Sequence, residues 1–217
     1  EMKDSGVEWL GMIPKDWEVK KLKYIFESVK NGIWGDDEKG DENDVFCIRV
    51  TNFNRDKSIV EMDNLTVRNL DKYKQKDYLL KKNDLLIEKS GGGDNQPVGF
   101  VAIYNSNVPA IYANFMARIV INQKNDNRYI LYYLSTLYNK RINTKHINQT
   151  TGIQNINTTS YFDEKIGIPK ILEQEKIANF LDIKTSQFDS IISKKEKLIE
   201  KLKEAKQSLI SEAVTGK

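Results

Sequence analysis

The residues with most chemical potential lie in polar segments rather than in a catalytic constellation. Lys89-Ser90-Gly91-Gly92-Gly93-Asp94-Asn95-Gln96 is the most glycine-dense stretch. A phosphate-binding P-loop would need a Lys-Ser/Thr pair after the glycines, and a dinucleotide fingerprint would need a helix next. Here Pro97-Val98-Gly99-Phe100-Val101 follows and reads as a strand. The segment is therefore expected to be a flexible hairpin loop, whose tip could bring backbone close to a polymer. Asn143 to Ser160 is the second such segment: fourteen of its eighteen residues are Asn, Gln, Thr, Ser, Lys or His, and none is acidic. Asn and Gln match the edge of adenine, Lys that of guanine and Thr the methyl group of thymine, while the lack of carboxylates avoids repelling phosphates. Ile147, Ile153 and Ile156 are spaced to pin this segment down, with Lys145, Gln149, Thr150, Thr151, Gln154 and Asn155 facing outward. The competing reading is a solvated loop in a chain with a compositional Asn, Lys and Ile bias.

Other chemistry is excluded or disfavoured. His146 is the sole histidine and Cys47 the sole cysteine, which rules out a Cys/His zinc site, catalysis needing two histidines and a disulfide framework. Asp84-Leu85-Leu86-Ile87-Glu88-Lys89 loosely matches a metal-nuclease core. However, Glu88 and Lys89 adjoin, which would aim them at opposite faces of a strand. All four prolines (Pro14, Pro97, Pro109, Pro169) are isolated, so the Pro-Pro-aromatic element of amino methyltransferases is missing. The 34 basic and 31 acidic residues leave a net charge of +3, which permits nucleic-acid binding without arguing for it.

The elements that must position these segments fall into two groups. Asp16 is expected to cap a helix carrying Val19, Leu22, Phe26 and Val29, and Asp126 another carrying Ile130, Tyr133, Leu134 and Leu137. Strand-like runs occur at 45–50, 85–89, 98–104, 118–122 and 165–168, each bounded by turn residues. Strands in the middle and helices at the ends predict an α+β fold, a globular domain with mixed or antiparallel strands followed by a long C-terminal coiled-coil-type helix. No glycine or proline interrupts Lys170 to Thr215, and Ile177, Leu181, Phe188, Ile191, Leu198, Leu202 and Leu209 recur there at spacings built from 3 and 4. That is a heptad seam, broken at Lys184, Lys195 and Glu212. The plainer reading is a helix lining the core of a single domain. No window approaches 18 apolar residues, and Glu1 to Leu10 lacks a signal-peptide pattern, so a reducing, cytoplasmic setting without membrane association is expected.

Both ends of the chain resemble a known family. Glu8-Trp9-Leu10-Gly11-Met12-Ile13-Pro14-Lys15-Asp16-Trp17 resembles the opening of one half of the specificity (S) subunit of type I restriction-modification systems. Ile168-Pro169-Lys170-Ile171-Leu172-Glu173-Gln174-Glu175-Lys176-Ile177-Ala178 is similar to the entry into that family's conserved spacer helix, and Ser208 to Lys217 to its exit. Lys170 stands where family members usually show a second proline. A full S subunit has two recognition domains and two spacer helices, whereas this sequence holds one of each.

The resemblance implies a non-catalytic subunit that reads one half of a bipartite DNA target. It divides the chain into a DNA target recognition domain at 1–161 and a spacer helix at 169–217 that dimerises and docks a methyltransferase subunit. The expected DNA-contacting residues are Lys89, Ser90, Gly91, Gly92, Asn95, Gln96, Lys145, Gln149, Thr150, Thr151, Gln154 and Asn155. The seven seam residues are the expected interface. Implied partners are double-stranded DNA, a modification (methyltransferase) subunit, a restriction subunit and a second copy of the chain through the C-terminal helix. No cofactor is expected in this chain; S-adenosylmethionine, ATP and Mg would belong to the partner subunits. The alternative is a coiled-coil assembly adaptor without sequence-specific DNA contact.

Overall fold

The computed structural model describes residues 1–150 and 152–216. Two compact units divide the chain, Glu1–Glu175 and a second beginning at Lys176. The first is built on a mixed six-stranded sheet in the order Phe26–Asn31, Met116–Ile121, Asp84–Glu88, Val101–Tyr104, Ile59–Val60, Phe53–Asn54. Only the Val101–Tyr104 and Ile59–Val60 neighbours run parallel. Asp84–Glu88 is buried throughout, which explains its unbroken Leu85-Leu86-Ile87 run: a central strand covered on both faces has no place for alternation.

Leu86 belongs to a core cluster with Cys47, Ile48, Ala102, Tyr104, Ile111 and Tyr112. Several of these come from a smaller three-stranded sheet in the order Ala110–Tyr112, Asp44–Ile48, Thr66–Asn69. Helix α1 (Lys72–Tyr78) is capped by the Asp71 carboxylate, which accepts from the Tyr73 and Lys74 amides. Helix α2 (Asn127–Asn139) lies against the Asp84–Glu88 and Val101–Tyr104 strands through buried Ile130, Leu134 and Leu137. The Asp126 carboxylate accepts the Arg128 and Tyr129 amides at 2.9 Å each, the cap that the sequence predicts.

The helix expected after Asp16 does not form. Glu18–Lys21 is a strand paired antiparallel with Lys165–Ile168, Leu22–Tyr24 is a 3-10 turn, and Phe26–Asn31 is an edge strand beside Met116–Ile121. The spacing of Val19, Leu22, Phe26 and Val29 imitates a helical face across a strand, a turn and a second strand. Val29 is 40% exposed, so no continuous apolar stripe exists. Gly32, just past this edge strand, lets the chain pass the Tyr112–Ala113 backbone, because a Cβ there would sit 2.1 Å from the Ala113 carbonyl oxygen.

A third antiparallel sheet joins Ser90–Gly91, Ile153–Ile156 and Ile147–Thr150 in that order. It is followed by the single-turn helix α3 (Thr158–Tyr161), capped by Asn157. The long helix α4 runs from Ile171 to Thr215, 45 residues or roughly 65 Å at about 1.5 Å per residue. Its first turn is bonded within the first unit: Gln174 accepts the Asp126 amide at 3.0 Å and donates to the Pro169 carbonyl at 2.9 Å. From Lys176 the helix forms the second unit, and there Phe188, Ile191, Leu198, Leu202 and Leu209 are all about half exposed or more. Lys217 lies outside the described residues. No helix among the described residues is long and apolar enough to cross a membrane.

Candidate nucleic-acid interface

The two polar segments, some sixty residues apart in sequence, form one surface. Ser90 pairs with Asn155 and Gly91 with Gln154 across the ladder, and the Ser90 hydroxyl donates to Asn155 Oδ1 at 2.6 Å. The Lys89 carbonyl accepts the Ile156 amide at 2.9 Å. At the far end of the glycine loop the backbone of Val98 is satisfied by side chains of the other segment. Asn143 donates to its carbonyl at 2.7 Å, and its amide donates to Gln154 Oε1 at 3.3 Å.

The loop is also clamped at both ends from below. Arg55 binds buried Glu88 at 2.6 Å and donates to the Tyr138 hydroxyl at 3.4 Å, and Tyr138 in turn donates to the Pro97 carbonyl at 3.1 Å. Burial raises the pKa of Glu88, and the Arg55 guanidinium opposes that rise. Glu88 is thus committed to an arginine, and Asp84 lies 3.7 Å from Arg118, so the carboxylates that loosely match a nuclease core each face a cation. Cys47 is fully buried, and burial pushes its thiol up to about 12, far from a reactive thiolate.

The expected contact residues separate into groups. Gly92, Asn95, Gln96, Gln149 and Asn155 are exposed, and Ser90 and Gly91 are half-buried. Lys89 is half-buried too, bonded to Asn31 Oδ1 at 2.6 Å, and burial lowers its pKa. Thr150 ends its strand, while Thr151 lies outside the described residues.

Two expectations for the hairpin are reversed, and a third residue faces outward as expected but is paired. Gln154 is buried and holds Val98, while Ile153, expected to pin the segment, is 52% exposed: in a strand only alternate residues turn inward, and here these are Gln154 and Ile156. Lys145 is exposed but paired with Glu164 at 2.7 Å, so the fold returns a carboxylate to a segment that contains none. The same Glu164 oxygen lies 2.8 Å from His146 Nε2, and His146 Nδ1 lies 2.9 Å from the Ser160 hydroxyl, tying the foot of the hairpin to α3.

Sequence reasoning missed the far side of the glycine loop. A cleft of about 550 Å³ opens there, lined by Trp34, Arg49, Thr51, Gly91, Asn114 and Phe115 among others. Phe115 is 53% exposed, and its carbonyl accepts the Lys89 and Ser90 amides. The available signal was an arginine closing an apolar strand run and an Asn-Phe pair between two others.

Residues 14–204 match the family model described as type I restriction modification DNA specificity domain. The chain is 29% identical over 213 residues to the putative type I restriction enzyme MjaX specificity subunit of Methanocaldococcus jannaschii, covering 95% of this chain and 47% of that protein. It is 27% identical over 210 residues to the MjaVIII specificity subunit of the same organism, covering 96% and 48%. A solved chain from a study of type I R-M complex assembly and conformational transition superposes with a TM-score of 0.68 at 15% identity, over 98% of this chain and 48% of that one. The fold is therefore shared, and the chain spans about half the length of these relatives.

Proposed function

Because the chain belongs to the family of type I restriction-modification DNA specificity domains, we propose that it is a non-catalytic reader of one half of a bipartite DNA target. The observation that carries this reading is the joining of the Lys89–Gln96 loop and the Ile147–Ile156 hairpin into one polar surface, where exposed amide side chains sit on a fixed sheet. Amide side chains on a rigid element suit readout of base edges. In this reading 1–161 is the recognition domain and 169–217 the spacer helix. A modification subunit supplies adenine methylation with S-adenosylmethionine, and a restriction subunit uses ATP and Mg, all in the cytoplasm. The helix seam pairs with a second copy.

A pure assembly adaptor is not favoured, since it has no use for a clamped polar surface. The test is a gel shift of the chain with its modification subunit on short duplexes. Affinity should fall linearly with salt on logarithmic axes while one sequence stays preferred. Equal binding to all duplexes at every salt concentration would leave only the adaptor.

A further inference from the structure

We propose that Arg49 is a specificity-determining residue, reading a guanine from the mouth of the cleft beside the glycine loop; this rests on the DNA-reading function proposed above. Two arginines lie over the ring of Trp34, and they are used differently. Arg68, at 4.5 Å from the ring centroid, spends its guanidinium on the protein: Nε donates to the Trp34 carbonyl at 3.2 Å, Nη2 to the Gly35 carbonyl at 3.0 Å and Nη1 to Asp37 at 2.6 Å. Arg49, at 5.8 Å, makes one long contact, from Nη1 to the Thr66 hydroxyl at 3.4 Å, and has no carboxylate partner among the described residues.

Its backbone is nonetheless fixed. The Arg49 amide donates to Asn52 Oδ1 at 2.9 Å and its carbonyl accepts the Asn52 amide at 2.9 Å, while the exposed guanidinium stands 5.8 Å from the Trp34 ring centroid. The one acid in the cleft wall, Glu88, is already bound by Arg55 and does not compete. The result is a planar fork with most donors uncommitted, carried on an anchored backbone at a cleft that Gly91 also lines. That fork suits bidentate recognition of guanine O6 and N7, which a lysine ammonium reaches without the planar geometry. Asn114 and exposed Phe115 line the same cleft and complete a wall suited to a base rather than to a phosphate alone.

The experiment is selection from randomised duplexes by the chain with its modification subunit, comparing wild type, Arg49→Lys and Arg49→Ala. The expected result is a guanine preference at one position of the half-site that falls roughly 5- to 150-fold in Arg49→Ala and by less in Arg49→Lys, whose ammonium still reaches guanine. The other positions should stay unchanged, and Arg49→Lys should keep the salt dependence of the wild type. An unchanged site in Arg49→Ala, or a uniform loss of affinity without any change in the selected sequence, would make Arg49 a phosphate or structural contact and overturn the proposal. Absence of any selected sequence with the wild type would instead remove the DNA-reading function itself, and this proposal with it.

Discussion

At the scale of single residues, the same side-chain type performs opposite tasks in neighbouring places. Gln149 and Gln154 face each other across the hairpin ladder, yet Gln149 is exposed while Gln154 is buried against the Val98 amide. Truncating Gln154 to Ala leaves that buried amide without a partner and should cost about 1–3 kcal/mol in urea unfolding. Gln149→Ala should change stability by less than about 0.5 kcal/mol but relax the methylated sequence at one base pair.

Asp44 offers a pH test. Asn69 donates to its carboxylate at 2.8 Å, and the amides of Lys39, Gly40 and Asp41 add to this, so its pKa lies below the ordinary value. A group depressed in the folded state contributes stability above its unfolded pKa and loses it as pH falls through the folded one. Asp44→Asn should therefore melt below wild type at pH 7. The gap should close as pH drops below about 3.9, the unfolded value. A gap independent of pH would show that the shape of the loop, not the charge, matters.

At the scale of elements, the glycine loop takes a backbone conformation that calls for glycine, with Gly91 at φ +117° beside Gly92. Gly92 has φ +58°, and a Cβ there would approach the Val98 nitrogen to 2.8 Å, so both backbone region and space demand glycine. Gly92→Ala should destabilise the protein by about 1–3 kcal/mol and weaken sequence preference together. Gly93→Ala, with nothing within 4 Å and no positive φ, should do neither; chemical denaturation and the duplex gel shift distinguish them.

This loop also shows what the sequence reveals. The Asp126 helix was legible because a local cap and a 3.6-residue period agree, and the 84–88, 101–104 and 116–121 strands because they are compact apolar runs. The Ile147–Ile156 hairpin was not, since its Asn, Gln and Thr residues favour turns and its pairing with Ser90–Gly91 is set some sixty residues away. The same nonlocal pairing, Glu18–Lys21 with Lys165–Ile168, overrode an apparently helical spacing. The contact surface was therefore legible as two segments, but the inward turn of Gln154, the Lys145–Glu164 pair and the Trp34–Arg49 cleft depend on partners outside any local window.

At the scale of the whole molecule, the chain spans about half the length of its relatives, and the function proposed above takes a second recognition element from a second copy. The α4 seam is the surface suited to bring it. Five of its residues, Phe188, Ile191, Leu198, Leu202 and Leu209, are 49–68% exposed, and Ile192 and Ile199 widen the apolar face. At about 1.5–3 kcal/mol per fully buried side chain, and with about half of each still to be covered, seven such residues reach roughly 5–12 kcal/mol, comparable to the ~4–15 kcal/mol that association costs. In the pairing proposed above the helices run antiparallel across a twofold axis, each using the same face. The charged seam positions limit that gain and favour one register. Lys184 binds Gln187 on its own helix at 3.3 Å, and Glu212 accepts from Ser208 at 3.0 Å, bonds a partner's charges would have to replace. Replacing Ile191, Leu198 and Leu202 together with Asp should give a folded monomer that no longer supports methylation, because the altered residues lie in the second unit and leave the core of the first untouched. Light scattering checks the starting point. A wild-type chain already monomeric at tens of micromolar, where an interface worth about 6 kcal/mol is half formed, would assign the seam to the modification subunit alone.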